Sequence, residues 1–145
     1  MTEAEIRELD HAEIGPHIPM LLAEGFTPEI DQGTWIGAFV DGELAGFVRV
    51  FEEGGAWMLE DVYVFDRFRR RGLATALIAR ARDGLDHLWL ICDDPMIDYY
   101  RSLGFSILLK EEFPVSLATL YRDKREWPEA TDHNHNAMRW SRHFP

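Results

Sequence analysis

The chain has 145 residues, which fits one domain, and its 46% hydrophobic content can bury a full core without disulfides or metal. A net charge of −11 argues against general nucleic-acid binding. That charge is compatible with a cationic substrate, although an acidic surface more often serves solubility. The single cysteine, Cys92, excludes an internal disulfide framework. Neither a secretory signal nor a membrane span is visible, so we expect a cytoplasmic protein.

The first half of the chain predicts a strand, two weak helices and then three more strands. Apolar patterns and turn residues place them in this order: a strand at 6–9, helices at 16–24 and 28–32, and strands at 34–40, 43–52 and 56–64. Asp41 and Gly42 form a strong hairpin turn, because both tolerate a positive φ. A second turn at residues 53–55 reverses the chain again. The centre is therefore expected to be an antiparallel meander.

The second half of the chain alternates helices and strands. The same patterns predict a helix at 72–83, a strand at 87–92, a helix at 96–102, a strand at 105–109, a helix at 116–127 and a strand at 136–143. Asp94 and Pro95 start the second of these helices, as an N-cap followed by proline. Together the elements predict one α+β domain over residues 1–145. Its sheet is expected to be mixed, mostly antiparallel and six- to seven-stranded, with about four flanking helices.

An arginine run in front of the helix at 72–83 carries the main functional signal. Arg67, Arg69, Arg70 and Arg71 lie within five positions of an otherwise acidic chain, and Gly72 follows them. The first backbone N–H groups of a helix lack internal partners, carry the positive end of the dipole, and are approached closely where residues are small. The segment therefore predicts a phosphate site. Taken alone, a basic first turn exposed to water explains it equally well.

Other phosphate-binding loops fit this segment poorly. The loop of nucleoside triphosphatases requires two glycines and a Gly-Lys-Ser/Thr ending, whereas Gly72 is followed by Leu73. A dinucleotide-binding turn requires three spaced glycines, and the segment contains only Gly72. The arginine side chains can add charge-assisted hydrogen bonds to whatever anion binds here.

Two segments together resemble the GNAT N-acetyltransferase superfamily. Arg69, Gly72 and Ala74 fill its acetyl-CoA-binding motif, Arg/Gln-x-x-Gly-x-Gly/Ala. Thirty residues downstream, residues 99–105 (Tyr-Tyr-Arg-Ser-Leu-Gly-Phe) resemble its second signature, aromatic-Tyr-x-x-x-Gly-Phe. The resemblance covers roughly residues 34–109 and implies a GNAT-like fold, a single GNAT-type acyltransferase domain and acetyl-CoA as co-substrate.

The resemblance also implies where acetyl-CoA binds. Residues 60–64 are similar to the family's fourth strand, whose backbone pairs with the pantetheine arm in a gap beside the fifth strand. We therefore expect the pantetheine arm to bind the backbone of Val62, Tyr63 and Val64. The pyrophosphate is expected to bind, beside Arg69, the backbone N–H groups of Arg70, Arg71, Gly72, Leu73, Ala74 and Thr75. The position directly after Arg69 departs from the family, which often has glycine where this chain has Arg70.

Two side chains are candidates for catalysis of direct attack by an amine on the thioester. Tyr100 matches the family's general acid, which protonates the leaving thiolate; the alternative is an aromatic ring that packs under the sheet. Glu60 is the candidate for a general base or an amine-binding carboxylate, and a carboxylate solvated at a strand edge is the alternative. Because consecutive strand residues face opposite ways, only one of Glu60 and Asp61 is expected to meet the substrate.

The residues after the fifth strand depart from the family. Many relatives carry there an asparagine that contacts the cofactor, whereas this chain has Asp93 and Asp94. We expect Asp94 to cap a helix and Asp93 to be available to a cationic amine. His133 and His135 fit a polar loop better than a metal site, so no metal is expected.

The leading hypothesis is an enzyme that moves an acetyl group from acetyl-CoA to a primary amine of a small molecule, without nucleic acid or membrane partners. The alternatives are a catalytically silent acyl-CoA-binding sensor or docking module on the same fold, and an adaptor that needs no CoA. The acidic segment 111–136 is expected to cover the acceptor site and to favour a cation. A homodimer is compatible with such a fold, but the sequence specifies neither the oligomeric state nor the acceptor.

Overall fold

The computed structural model describes residues 4–26, 28–123 and 136–142. Within them the strands are β1 (Glu5–Leu9), β2 (Thr34–Val40), β3 (Glu43–Glu53), β4 (Ala56–Val64), β5 (His87–Cys92), β6 (Phe105–Ile107) and β7 (Asn136–Ser141). The α-helices are α1 (His11–Ile14), α2 (Ile18–Ala23), α3 (Leu73–Arg82), α4 (Ile97–Ser102) and α5 (Val115–Asp123). Among the described helices, none has the length and apolar character needed to cross a membrane.

The strands form a sheet in the order β1-β2-β3-β4-β5-β7-β6. The pairs β1–β2, β2–β3, β5–β7 and β6–β7 are antiparallel, and β4–β5 is parallel, with Met58 opposite Trp89. A parallel pair needs a long crossover connection, which α3 supplies here between β4 and β5 in the chain. The predicted α+β class is confirmed, and the mixed, mostly antiparallel sheet, predicted with six to seven strands, has seven.

The central meander agrees closely with the sequence prediction. β2 and β4 have the predicted bounds, and β3 extends one residue further, to Glu53. Asp41 and Gly42 both have positive φ, 52° and 79°, as a two-residue hairpin turn requires. Local turn chemistry therefore determines where these strands begin and end.

The first helix begins earlier than predicted. α1 starts at His11 because Asp10 and Glu13 form a capping box. The Glu13 backbone N–H donates to Asp10 Oδ1 at 2.9 Å, and the Asp10 N–H donates to Glu13 Oε1 at 3.1 Å. A 3₁₀ turn then joins α1 to α2, so the helical stretch predicted at 16–24 is the second part of a longer one.

The helix predicted at 28–32 is wrong. Residues 28 and 29 have no regular secondary structure and residues 30–32 form a turn and a bend. Two carbonyl groups of this segment accept hydrogen bonds from side chains of the sheet. Trp35 Nε1 donates to Ile30 O at 3.2 Å, and Arg49 Nη1 donates to Gln32 O at 3.1 Å. Both contacts come from residues that the local pattern does not include, and they hold this segment in a non-helical path.

The later elements deviate mainly at their ends. A 3₁₀ turn at Asp94–Met96 precedes α4, and Asp93 occupies its N-cap position without a side-chain hydrogen bond. The prediction that Asp94 caps this helix is therefore wrong by one residue. β6 ends at Ile107, two residues before the predicted end. The predicted end of the helix at 116–127 lies outside the described residues.

The chain divides into two compact units, residues 1–51 with 59–83, and residues 52–58 with 84–145. The first unit has a core that includes Leu9, Ile14, Leu21, Trp35 and Phe47. The second unit buries, among others, Leu88, Leu90, Phe105, Leu117 and Met138. Each unit thus has apolar residues of its own from both helices and strands.

Candidate active site

The end of β4 presents backbone groups on the side that faces away from β3. The Phe65 N–H, just after β4, donates to Ala45 O of β3 at 2.9 Å. Successive residues of an extended strand direct their backbone polar groups to opposite sides. The N–H and C=O groups of Val62 and Val64 therefore point away from β3. These are the groups that the sequence predicts for the pantetheine arm.

α3 begins with an open N-terminal turn. Its first intrahelical hydrogen bond runs from the Ala76 N–H to Gly72 O at 3.1 Å, so the N–H groups of Leu73 and Ala74 have no acceptor inside the helix. Gly72, at the N-cap, has a φ of 76° and makes no side-chain capping bond, and the first turn contains no acidic residue. This turn therefore offers backbone donors and the positive end of the helix dipole to an anion.

Two arginines of the run hold the loop between β4 and α3. Arg69 Nε donates to Val64 O at 2.8 Å, and Arg69 Nη1 lies 2.5 Å from Asp66 Oδ1. Arg67 forms an ion pair with Glu43 of β3. The Arg69 side chain, predicted to bind cofactor, therefore contacts the loop and the end of β4.

The next two arginines are exposed to solvent. Arg70 has a φ of 66°, in the left-handed region that β-carbon-bearing residues seldom adopt. The Arg71 guanidinium carbon lies 5.5 Å from the centre of the Phe68 ring. With Gly72 also left-handed, two of the three residues directly before α3 have a positive φ.

A buried guanidinium lies beside the two carboxylates of β4. Arg49 Nε is 2.7 Å from Asp61 Oδ2, and Arg49 Nη2 is 2.5 Å from Glu60 Oε2. Arg49 Nη1 also donates to Gln32 O at 3.1 Å and to Gln32 Oε1 at 3.3 Å. The side chains of Arg49, Asp61 and Glu60 are 0%, 5% and 21% exposed. We refer to these four residues as the Arg49 cluster.

The prediction that Glu60 and Asp61 face opposite ways is wrong. Both carboxylates contact the guanidinium of Arg49. The cause is the backbone of Asp61, whose φ of 55° is left-handed and interrupts the regular alternation of the strand. The pairing also makes Glu60 a carboxylate held by a cation, which suits it to bind an amine better than to remove a proton.

Arg49 is the site residue that the sequence prediction missed. It lies at residues 44–51 in the run Leu-Ala-Gly-Phe-Val-Arg-Val-Phe, in which the remaining seven residues are all apolar or glycine. A charged residue inside such a run is a usable signal, because a buried charge requires a partner. The sequence does not predict that Glu60 and Asp61 are its partners, because that depends on the register of β3 against β4.

The side chain of Tyr63 belongs to an aromatic cluster. Its ring centroid lies 5.9 Å from that of Phe47, 6.0 Å from that of Phe26 and 5.4 Å from that of Phe65. Burial, and then the Glu24 carboxylate, raises the pKa of the Tyr63 phenol. The ring thus anchors β4, and it is the backbone of this residue that the cofactor prediction concerns.

Tyr100 is buried within the second unit, at 6% exposure. Its ring centroid lies 5.7 Å from that of Phe105 and 5.3 Å from that of Tyr99. Burial first, and then the neighbouring Cys92, Tyr99 and Asp93, raises the pKa of the Tyr100 phenol. This phenol therefore stays protonated across the neutral range and can donate a hydrogen bond.

The end of β5 is joined to the turn before α4 by one amide. Asn136 Nδ2 donates to Cys92 O at 3.1 Å and to Asp94 Oδ1 at 2.8 Å. Asp94, which the sequence predicted as a cap, thus accepts a hydrogen bond from the start of β7. Asp93 is exposed to solvent.

Two other sequence predictions concern the later part of the chain. Among the described residues, no group of three or more His, Cys, Asp or Glu side chains is arranged to hold a metal ion. His133 and His135 lie outside those residues. Of the segment 111–136, the structure describes residues 111–123, which include α5, and the first residue of β7, so the cover over the acceptor site stays a prediction.

Sequence comparison places these features in a known family. The model of the acetyltransferase (GNAT) family matches residues 4–105, which include β4, the arginine run, α3 and the second motif up to Phe105. Streptothricin acetyltransferase from Streptomyces lavendulae is 34% identical over 96 residues, which cover 58% of this chain and 49% of that protein. The chain therefore spans about half the length of that curated relative.

Solved structures share the fold. N-acetylglutamate synthase from Neisseria gonorrhoeae, complexed with coenzyme A and N-acetyl-glutamate, has a TM-score of 0.73 at 18% identity and covers 99% of this chain but 36% of its own. Diaminobutyrate acetyltransferase from Paenibacillus lautus, in complex with L-2,4-diaminobutyric acid and coenzyme A, has a TM-score of 0.63 at 15% identity. The match covers 100% of this chain and 98% of that protein's chain. At such identities the likeness concerns the fold alone.

Proposed function

Because the chain belongs to the acetyltransferase (GNAT) family, we propose that it transfers the acetyl group of acetyl-CoA to a primary amine. The observation that carries this proposal is the open first turn of α3, preceded by the left-handed residues Arg70 and Gly72. A pyrophosphate group fits there, because the turn combines backbone donors, the helix dipole and exposed arginines.

The rest of the cofactor extends along β4. The pantetheine arm contains amide groups, which can pair with the outward N–H and C=O groups of Val62 and Val64. Val64 O already accepts from Arg69 Nε, so the Val64 N–H and both groups of Val62 are the better partners. In this arrangement the side chain of Arg69 shapes the loop, and the exposed Arg70 and Arg71 supply charge.

The reaction is an attack by the neutral amine nitrogen on the thioester carbonyl carbon. A C–N bond forms and the C–S bond breaks, the amine nitrogen releases its proton to solvent water, and CoA leaves as the thiolate. Tyr100 donates a hydrogen bond to the leaving sulfur, a role supported by its place in the second motif and by its firmly protonated phenol. Glu60 binds the ammonium form of the acceptor, which then loses a proton to solvent water; the hydrogen bond from Arg49 holds the Glu60 carboxylate in place for this contact.

The acceptor we propose is a small cationic amine. The net charge of −11 attracts cations over long range, and Glu60 supplies a carboxylate close to β4. One of the structural neighbours is described with a diamine substrate, L-2,4-diaminobutyric acid, which makes diamines a sensible first choice for assay.

The test is release of free thiol from acetyl-CoA with a panel of diamines, monoamines and amino acids, with mass spectrometry of the acetylated product. A melting-temperature shift on adding CoA is measured in parallel, because a ligand that binds the native state stabilises it. Amine-dependent thiol release is the expected result. Stabilisation by CoA without turnover on any amine would instead indicate a silent acyl-CoA-binding module. Absence of both would indicate an adaptor that uses no CoA.

A further inference from the structure

Arg49 connects three segments of the first unit through one side chain. Its three guanidinium nitrogens contact Asp61 and Glu60 on β4 and Gln32 in the loop before β2. The guanidinium carbon also lies 5.1 Å from the centre of the Phe51 ring and 5.8 Å from that of Trp35. A planar, always-charged group of this kind fixes the direction of each partner, which a lysine ammonium cannot do.

The two carboxylates of the Arg49 cluster differ in their access to solvent. Asp61 is 5% exposed and has the left-handed backbone, whereas Glu60 is 21% exposed. Of the two carboxylates that the guanidinium holds, Glu60 is therefore the one that a substrate ammonium group can reach.

The left-handed backbone of Asp61 explains why Arg49 can bind the carboxylate of Glu60 as well as that of Asp61. In a regular strand, two consecutive side chains leave on opposite faces and one guanidinium cannot reach both. The hydrogen bond from Arg49 to Asp61 offsets the strain of a left-handed aspartate backbone. Arg49 therefore stabilises the backbone irregularity and, through the same group, directs the carboxylate of Glu60.

We infer that Arg49 is a positioning residue of the acceptor site: it holds the Glu60 carboxylate in place for the ammonium group of the substrate and uses Asp61 as its structural partner. The inference rests on the proposed function, since it assigns the acceptor-binding part of that reaction. Arg49 acts through Glu60 and contacts neither the acetyl group nor CoA in this scheme.

The test is a double-mutant cycle of Arg49→Lys and Glu60→Gln, measured by steady-state kinetics with the best amine. Each single variant should raise KM for the amine about tenfold to a hundredfold, because one charge-assisted hydrogen bond is lost. The KM for acetyl-CoA and the kcat per CoA-binding site should change less than about threefold. In the Glu60→Gln background, Arg49→Lys should add little, since residues that act as a unit are not additive.

Arg7→Lys is the matched control, because Arg7 also pairs with a carboxylate of the same unit, Glu13, at 2.7 Å on the surface. It should leave all kinetic parameters unchanged. Glu60→Asp keeps Arg49 intact and withdraws the carboxylate by one methylene, so it tests the same positioning if Arg49→Lys does not fold. That variant should also raise KM for the amine about tenfold.

Four results would overturn the inference while the proposed function stands. The first is that the effects of Arg49→Lys and Glu60→Gln on KM for the amine are additive. The second is that KM for acetyl-CoA rises as much as KM for the amine. The third is that Glu60→Asp has wild-type kinetics. The fourth is a lower CoA-binding fraction of Arg49→Lys with both KM values unchanged, which would assign Arg49 to folding alone. Absence of any amine-dependent turnover by the wild-type protein would overturn both proposals.

Discussion

The hydrogen bond from Arg49 Nε to Asp61 Oδ2, 2.7 Å long, joins a fully buried guanidinium to a residue with a left-handed backbone. The contact lies between neighbouring strands β3 and β4, twelve residues apart in the chain. It fixes the position at which β4 departs from regular geometry, directly before Val62, where the proposed cofactor-binding edge begins. The Arg49–Asp61 hydrogen bond and the left-handed backbone of Asp61 thus depend on each other.

The backbone part of this relationship can be separated from the charge. Asp61→Gly and Asp61→Ala both remove the carboxylate and leave Arg49 without one partner, which should destabilise the fold by about 3–5 kcal/mol. Alanine must in addition adopt a φ near 55°, so Asp61→Ala should be less stable than Asp61→Gly by about 1 kcal/mol. Urea unfolding of the two variants measures the difference. Equal stability of the pair would mean that the backbone at this position relaxes.

Much of the fold follows from local signals in the sequence. The turns at Asp41-Gly42 and at the two glycines after β3 determine the bounds of β2, β3 and β4, because positive φ is needed there and few residues accept it. The open first turn of α3 was also predictable from a local signal, the small residues at a helix start. The capping box of Asp10 and Glu13 is equally local, but the sequence prediction did not include it.

The remaining features depend on contacts between distant residues. The segment 28–32 is not helical because Trp35 and Arg49 bind its carbonyl groups. The common orientation of Glu60 and Asp61 depends on an arginine from another strand. Arg49 lies 17 residues from Gln32 and 12 residues from Asp61, so periodicity within one element could only give the regular alternative.

The exposed left-handed residue Arg70 gives a test of what binds the pyrophosphate. Arg70→Gly removes one charge but relieves a φ of 66°, so it should raise the free energy of unfolding by up to about 1 kcal/mol. Arg71→Gly, the matched control, removes the same charge at a position without a positive φ and should not stabilise. If backbone donors carry most of the binding, the Kd for CoA of Arg70→Gly should rise less than about threefold in calorimetry. A tenfold loss would assign the binding to the side chain.

Close approach of β3 to the end of β4 requires Gly46. A Cβ there would lie 2.7 Å from Tyr63 O and 3.1 Å from Val64 Cα, so Gly46→Ala must displace the β4 backbone. We expect a loss of about 1–3 kcal/mol in stability and weaker CoA binding to the displaced edge. Gly15→Ala is the control, since its Cβ meets nothing closer than 3.9 Å and its backbone is helical. CoA affinity of Gly46→Ala equal to that of the control would show that the edge of β4 does not bind the cofactor.

Cys92 should resist alkylation in the folded protein. Burial, followed by Asp93 and Asp94, raises the pKa of the thiol from 9.0 to about 12. Because the thiolate is the nucleophile, the native rate with iodoacetamide at pH 8 should be about a thousandfold below that of the unfolded chain. The native rate should also keep rising with pH between 9 and 12, where a normal thiol has levelled off. Rapid labelling at neutral pH would contradict the burial of this side chain.

Replacement of Tyr100 by phenylalanine tests its role in thiolate release. The ring contacts with Phe105 and Tyr99 are kept, so the fold and the Kd for CoA should change little. Removal of the hydroxyl should lower kcat by about 10²-fold or more if the phenol assists the leaving sulfur. Because burial raises its pKa, the phenol stays protonated below pH 10, and kcat should show no alkaline loss from Tyr100 in that range. Tyr99→Phe is the matched control and should keep wild-type kcat; the opposite pattern would assign the proton donor to Tyr99.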